Sequence, residues 1–148
     1  MTESASMTGR AIRTPGIVVE LVDVPAGIRL TEHGHDDPHL LFLLDGAFEE
    51  LDRGCWRRLE AGAVRLSPAC DQHHIRFQAP SRCLLVLLSG DVASTTPRAP
   101  RERLFRSDPR LRPLADAIER NVETFERASP FRLEALVLEL LAASLPGR

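Results

Sequence analysis

The residues of this chain best equipped for chemistry are its five histidines, His33, His35, His39, His73 and His74, which fall in the middle of a 148-residue sequence. His33 and His35 stand two apart, a spacing that puts both imidazoles on one face of a strand. His39 follows the bend Asp36-Asp37-Pro38, at the head of an apolar run. His73 and His74 are adjacent, so a strand would send them to opposite faces and only one could join the others. Three or four imidazoles aimed at one point suit a divalent first-row metal: zinc, iron, nickel, copper or manganese. The expected ligand set is His33, His35, His39 and His73. The same set could instead line a cavity and hydrogen-bond an organic ligand as neutral rings. His74 is expected to be a satisfied structural or surface residue.

The elements that must hold these side chains are short. Between positions 17 and 88, runs rich in Val, Leu and Ile alternate with turn residues. The runs cover 17–24, 28–33, 39–44, 47–51, 55–59, 63–66, 73–77 and 83–88. Asp45-Gly46 is a hairpin signal, because a type I′ turn needs positive φ at both central residues. Eight short strands at this spacing predict a mainly β fold, a sandwich or a closed barrel, rather than a βαβ unit. After a linker the period turns helical. Asp108-Pro109 reads as an N-cap with proline at the first helical position. Leu111, Leu114, Ala115, Ile118, Val122 and Phe125 then form one apolar stripe. Ser129-Pro130 repeats the start, and Pro146-Gly147 stops the second helix. That helix carries Phe131, Leu133, Leu136, Val137, Leu138, Leu140 and Leu141, a wider apolar surface than one core would cover. The expected organisation is a flexible N-terminus over 1–16, a β-barrel over 17–95, a linker over 96–107 and a helical tail over 108–148.

Composition narrows the function classes. A formal net charge of -2 and 43% apolar residues describe an ordinary globular protein, with no bias toward nucleic acid or an anionic membrane. The polar start lacks the apolar stretch of a signal peptide, and the longest apolar runs are too short to span a bilayer. Cys55, Cys70 and Cys83 show neither disulfide nor zinc-knuckle spacing, which points to the cytoplasm. The arginines at 98, 101, 103, 106, 110 and 112 read as a solvated linker, with no recognition motif beside them. No nucleophile elbow or phosphate loop is present, so any catalysis would fall to a metal. Trp56 and Cys70 are further candidates for a cavity wall, with packing as their ordinary alternative.

The spacing of these residues resembles the cupin superfamily. Gly27, His33, His35, His39 and Gly46 follow its first motif, with His39 where the family has glutamate. Gly62, Pro68 and His73 follow its second motif, with Cys70 in place of glycine and Phe77 in place of asparagine. The resemblance covers about residues 17–89 and implies a double-stranded β-helix. It also implies a metal on His33, His35 and His73, with His39 in the carboxylate's position. An all-histidine set would favour zinc, iron, nickel or copper. The text from His33 to His39, Gly46 to Glu50 and Leu66 to His73 is similar to the ligand-sensing domains of AraC-type transcription regulators. That similarity implies a small-molecule ligand and a homodimer through the C-terminal helices. No helix-turn-helix segment follows in this sequence, so no direct DNA binding is expected of it. The competing expectation is a metal-dependent cupin enzyme, a histidine-ligated dioxygenase or isomerase. Phe77, inward on the same run as His73, joins Cys70 and Trp56 as a cavity candidate.

Overall fold

The computed structural model describes residues 7–89, 102–124 and 130–146. Ten strands make two antiparallel sheets. They are β1 (Thr8–Arg13), β2 (Ile17–Val24), β3 (Arg29–Gly34), β4 (His39–Asp45), β5 (Ala47–Asp52), β6 (Cys55–Glu60), β7 (Ala63–Ser67), β8 (Gln72–Phe77), β9 (Ser81–Leu88) and β10 (Leu104–Ser107). The larger sheet runs β1-β2-β9-β4-β7-β10 and the smaller runs β3-β8-β5-β6. The two sheets face each other as a mainly β jelly roll. A 3₁₀ turn at Pro109–Leu111 leads into helix α1 (Arg112–Glu123), and helix α2 (Pro130–Ser144) follows.

Turn chemistry fixes the corners. Gly27, Gly46 and Gly62 all have positive φ, a region open to glycine at little cost. At Gly46 a side chain is excluded twice over, because a Cβ would lie 2.4 Å from Pro80 O and 2.3 Å from Ser81 Oγ. Asp108 caps the 3₁₀ turn by accepting from Arg110 N at 3.0 Å.

The middle of the larger sheet is buried on both faces, and this explains its composition. Every residue from Leu40 to Leu44 is buried. Alternation sends Leu40, Phe42 and Leu44 outward and Leu41 and Leu43 toward the smaller sheet. The outward set packs against Leu111, Ala115, Ile118 and Val122 of the turn and α1, and against Leu133, Val137, Leu140 and Leu141 of α2. The molecule therefore has three layers: small sheet, large sheet, helices. The wide apolar surface of α2 is mostly spent on this sheet, and Phe131 (82%) and Leu138 (46%) are what it leaves exposed.

Three expectations are corrected here. Residues 8–13, read as part of a flexible start, form β1, paired with β2 from Thr8↔Asp23 to Arg13↔Val18. This edge strand buries only Ile12, so it carries no apolar alternation to announce it. The linker over 96–107 ends in β10, paired with β7; residues 1–6 and 90–101 lie outside the described residues. The arginine stretch is also more than a solvated linker. Arg106 donates to Ser144 O (3.1 Å) and Leu145 O (2.7 Å), closing the end of α2. Arg112 donates to Leu44 O at 2.6 Å, pinning α1 to β4.

Candidate ligand site

Side-chain alternation gathers the site between the sheets. From the smaller sheet, β3 brings His33, β8 brings His73 and β5 brings Glu50. From the larger sheet, β4 brings His39 and β7 brings Arg65. A register shift between Leu30 and His33, a β-bulge in β3, lets both residues face inward despite their spacing of three. His33 pairs directly with His73 across the ladder.

The structure brings His33, His35, His39 and His73 into one cluster. Ring centroids are 5.9 Å apart for His33–His35, 5.6 Å for His33–His73, 4.6 Å for His35–His39 and 5.0 Å for His39–His73. His74 points the other way, edge-on to Trp56 at 5.1 Å. Trp56 itself lies under the Arg76 guanidinium, 3.8 Å from its ring centre, on the outer face of the smaller sheet. Trp56 is therefore no part of a cavity wall. Cys70 is exposed at a positive-φ corner, its Sγ 3.8 Å from Asp36 O, and it does not line the cavity either. Phe77 does, and so does Cys83, which had not been singled out.

Sequence reasoning missed the two residues at the centre, Glu50 and Arg65. Both are buried, and they form an ion pair between Glu50 Oε1 and Arg65 Nη1 that joins the two sheets. Arg65 Nη2 lies 3.3 Å from His39 Nε2. A guanidinium can only donate, so His39 Nε2 accepts and its proton sits on Nδ1, which faces Asp37 O at 3.5 Å. His73 Nε2 lies 3.1 Å from the same nitrogen. His73 Nδ1 stands 3.4 Å from Glu50 Oε1. Arg103, from the stretch before β10, adds a second layer. It pairs with Asp71 (2.8 Å), reaches Glu50 Oε2 (3.5 Å), and donates to Leu51 O and Gln72 O.

These surroundings keep the histidines neutral. Burial, followed by the Arg65 charge, pushes His39 down to about 2. Burial also lowers His33, where the neighbouring His73 and His35 add to it. His35 is lowered by burial and Arg65, against Glu20 and Asp36. His73 is lowered by burial in spite of Glu50. Burial alone would raise the Glu50 carboxyl, but contact with His73 and the charges of Arg65 and Arg103 hold it below its ordinary value.

A metal fits this arrangement poorly. A ligating imidazole must offer a free lone pair, and that of His39 is turned to Arg65. Among the described residues no group of three or more His, Cys, Asp or Glu is arranged to hold a metal ion. The expected zinc, iron, nickel or copper on His33, His35, His39 and His73 thus meets a histidine cluster with a fixed cation at its heart.

Beside the cluster lies a cavity of about 320 Å³ between the sheets. Its walls are mostly apolar, from Val22, Leu30, Leu41, Ile75, Phe77 and Leu85, while His33, His35, Arg65 and Glu20 supply the polar points. Met7, 45% exposed, marks the side where it meets solvent. A largely apolar cleft with a few convergent polar groups is the usual form of a small-molecule site.

No family model matches the chain, and no curated protein matches it either. Solved structures do match. One is a cupin superfamily protein from Desulfitobacterium hafniense, 16% identical, covering 61% of this chain and 84% of its own, with a TM-score of 0.54. Another is KdgF from a Halomonas species, 24% identical, covering 60% and 83%, with a TM-score of 0.51. A third is the Cnp3 cupin domain of Schizosaccharomyces pombe, 14% identical, covering 60% and 70%, with a TM-score of 0.50. The fold is a cupin barrel. At these identities the likeness speaks for the cupin fold alone, and function has to be argued from the site.

Proposed function

We propose that this chain is a small-ligand-binding cupin module that passes the state of its cavity to the C-terminal helices, in the manner of the AraC-type sensor domains its motif text resembles. The observation that carries this reading is the two-faced larger sheet. Leu41, Val22 and Leu85 line the cavity, and their strand neighbours Leu40, Leu21, Leu84 and Val86 pack on the helices. One strand's thickness separates ligand from helix, and a close-packed interior transmits small shifts across such a distance. A homodimer through the helical tail is part of the reading, and the exposed Phe131 and Leu138 are the residues it would use. The metal-dependent enzyme is the lesser reading; ring convergence favours it, and the Arg65-centred bonding weighs against it.

The test is a thermal-shift screen of small molecules, followed by hydrogen exchange with a hit bound. We expect exchange to slow in the cavity strands and also in α1 and α2. Protection confined to the cavity strands would leave a binding protein without a relay. Elemental analysis of the same untagged preparation is expected to find far less than one equivalent of transition metal; about one equivalent, lost in His33→Ala/His73→Ala, would restore the metal centre.

A further inference from the structure

The cavity's polar end is incompletely bonded, and the pattern of what is missing describes a ligand. Arg65 is 1% exposed, and two of its nitrogens are engaged, Nη1 by Glu50 and Nη2 by His39. Its Nε–H is buried and has no hydrogen-bond partner among the described residues. His33 Nδ1 is buried and unpartnered in the same sense. Both residues line the one cavity. A buried donor left unpaired costs about 1–3 kcal/mol, more when charged, so such groups are ordinarily met by something.

Charge constrains what meets them. Arg65 is balanced by Glu50, and Arg103 by Asp71. A ligand with a positive group would face the Arg65 guanidinium, and the one carboxylate of the lining, Glu20, stands by His35 rather than among the unpaired atoms. A permanently charged anion would add an uncompensated charge. A carboxyl group meets both conditions. One oxygen accepts from Arg65 Nε–H, and the other meets His33 Nδ1, the two sharing one proton taken up from solvent as the carboxylate binds. The proton rests on the carboxyl or on the imidazole, and the total charge of the site is the same either way. The remaining walls, Val22, Leu30, Leu41, Ile75, Phe77 and Leu85, ask for an apolar body.

We infer that the cavity takes a small apolar carboxylic acid, its head group held by Arg65 Nε–H and His33 Nδ1 and its body between the sheets. This rests on the ligand-binding reading above and narrows it to one chemical class.

The probes are octanoate, octanol and octylamine, titrated calorimetrically into the intact protein near neutral pH. Octanoate is expected to bind at least about tenfold more tightly than octanol, the worth of a hydrogen bond to a charged group, and octylamine more weakly than either. His33→Leu is expected to keep the melting temperature of the free protein while weakening octanoate about tenfold and leaving octanol unchanged. Substituting Arg65 would disturb the core pair, so His33 carries the test. Octanol binding as well as octanoate, or octanoate binding undiminished in His33→Leu, would overturn the carboxyl proposal and leave the cavity reading standing. Binding of none of the three overturns it as well. In that case hits from the wider screen would preserve the ligand-binding module, and a screen without hits would remove both.

Discussion

Glu50 and Arg65 come from different sheets and meet where neither touches solvent. Such a pair need not stabilise the fold relative to a well-packed apolar alternative, but breaking it leaves a buried charge alone. Glu50→Gln keeps the shape and removes the charge that balances Arg65. It is expected to cost about 3–5 kcal/mol in urea unfolding. Replacing both members, as Glu50→Leu/Arg65→Met, should cost less than Glu50→Gln alone, because no unpaired charge remains. A double variant less stable than the single one would mean that Arg65 holds the cluster through His39 rather than through Glu50. The histidines were legible from their spacing; parity admitted only one of His73 and His74, and the motif spacing from Gly62 and Pro68 singled out His73. Arg65 was not legible for a physical reason. In Val64-Arg65-Leu66, alternation reads as apolar inward and charged outward. That rule assumes one buried face, and β7 has two.

At the scale of elements, the eight apolar runs were readable as strands because most of them bury a face and all are bounded by turn residues, and Asp108-Pro109 was readable as a start because the cap is local chemistry. The strands β1 and β10 were not, since edge strands need little apolar surface and owe their form to a partner far along the chain. The helical tail illustrates the same limit. Its excess of apolar residues suggested a seam between two copies, whereas most of that surface covers β2, β4, β7 and β9 of its own chain. Truncation should expose this packing. A chain ended after Ser107 would bare Leu40, Phe42, Leu44, Val64, Leu84 and Val86 together, a patch beyond what soluble domains expose. We expect it to aggregate on expression, judged by size-exclusion chromatography with light scattering. A monodisperse, cooperatively folding product would show that the helices are an appendage and not the third layer of the core.

At the scale of the whole molecule, a buried cluster of neutral histidines makes stability depend on pH over an unusual range. His39 is held at about 2 in the folded protein against an ordinary value of 6.5. Below 6.5 the unfolded chain takes up a proton at this residue and the folded chain does not. Protons then favour unfolding, and the stabilising contribution present above that pH is lost progressively as pH falls. His39 alone contributes a slope approaching about 1.4 kcal/mol per pH unit. His33, His35 and His73, all lowered, act in the same direction. Glu50 and Asp71, both held below their ordinary values of 4.5 and 3.8, take over at lower pH, where their protonation in the unfolded chain removes what their arginine partners supply. Acid should therefore begin to weaken this fold while its carboxylates are still fully ionised. Urea unfolding at about pH 7.5, 6 and 5 checks this. We expect unfolding free energy to fall by at least about 1 kcal/mol between the last two, with His39→Gln reducing the slope. A flat profile across that window would mean that the folded cluster carries protons as readily as the unfolded chain, and the neutral, arginine-centred hub would have to be abandoned.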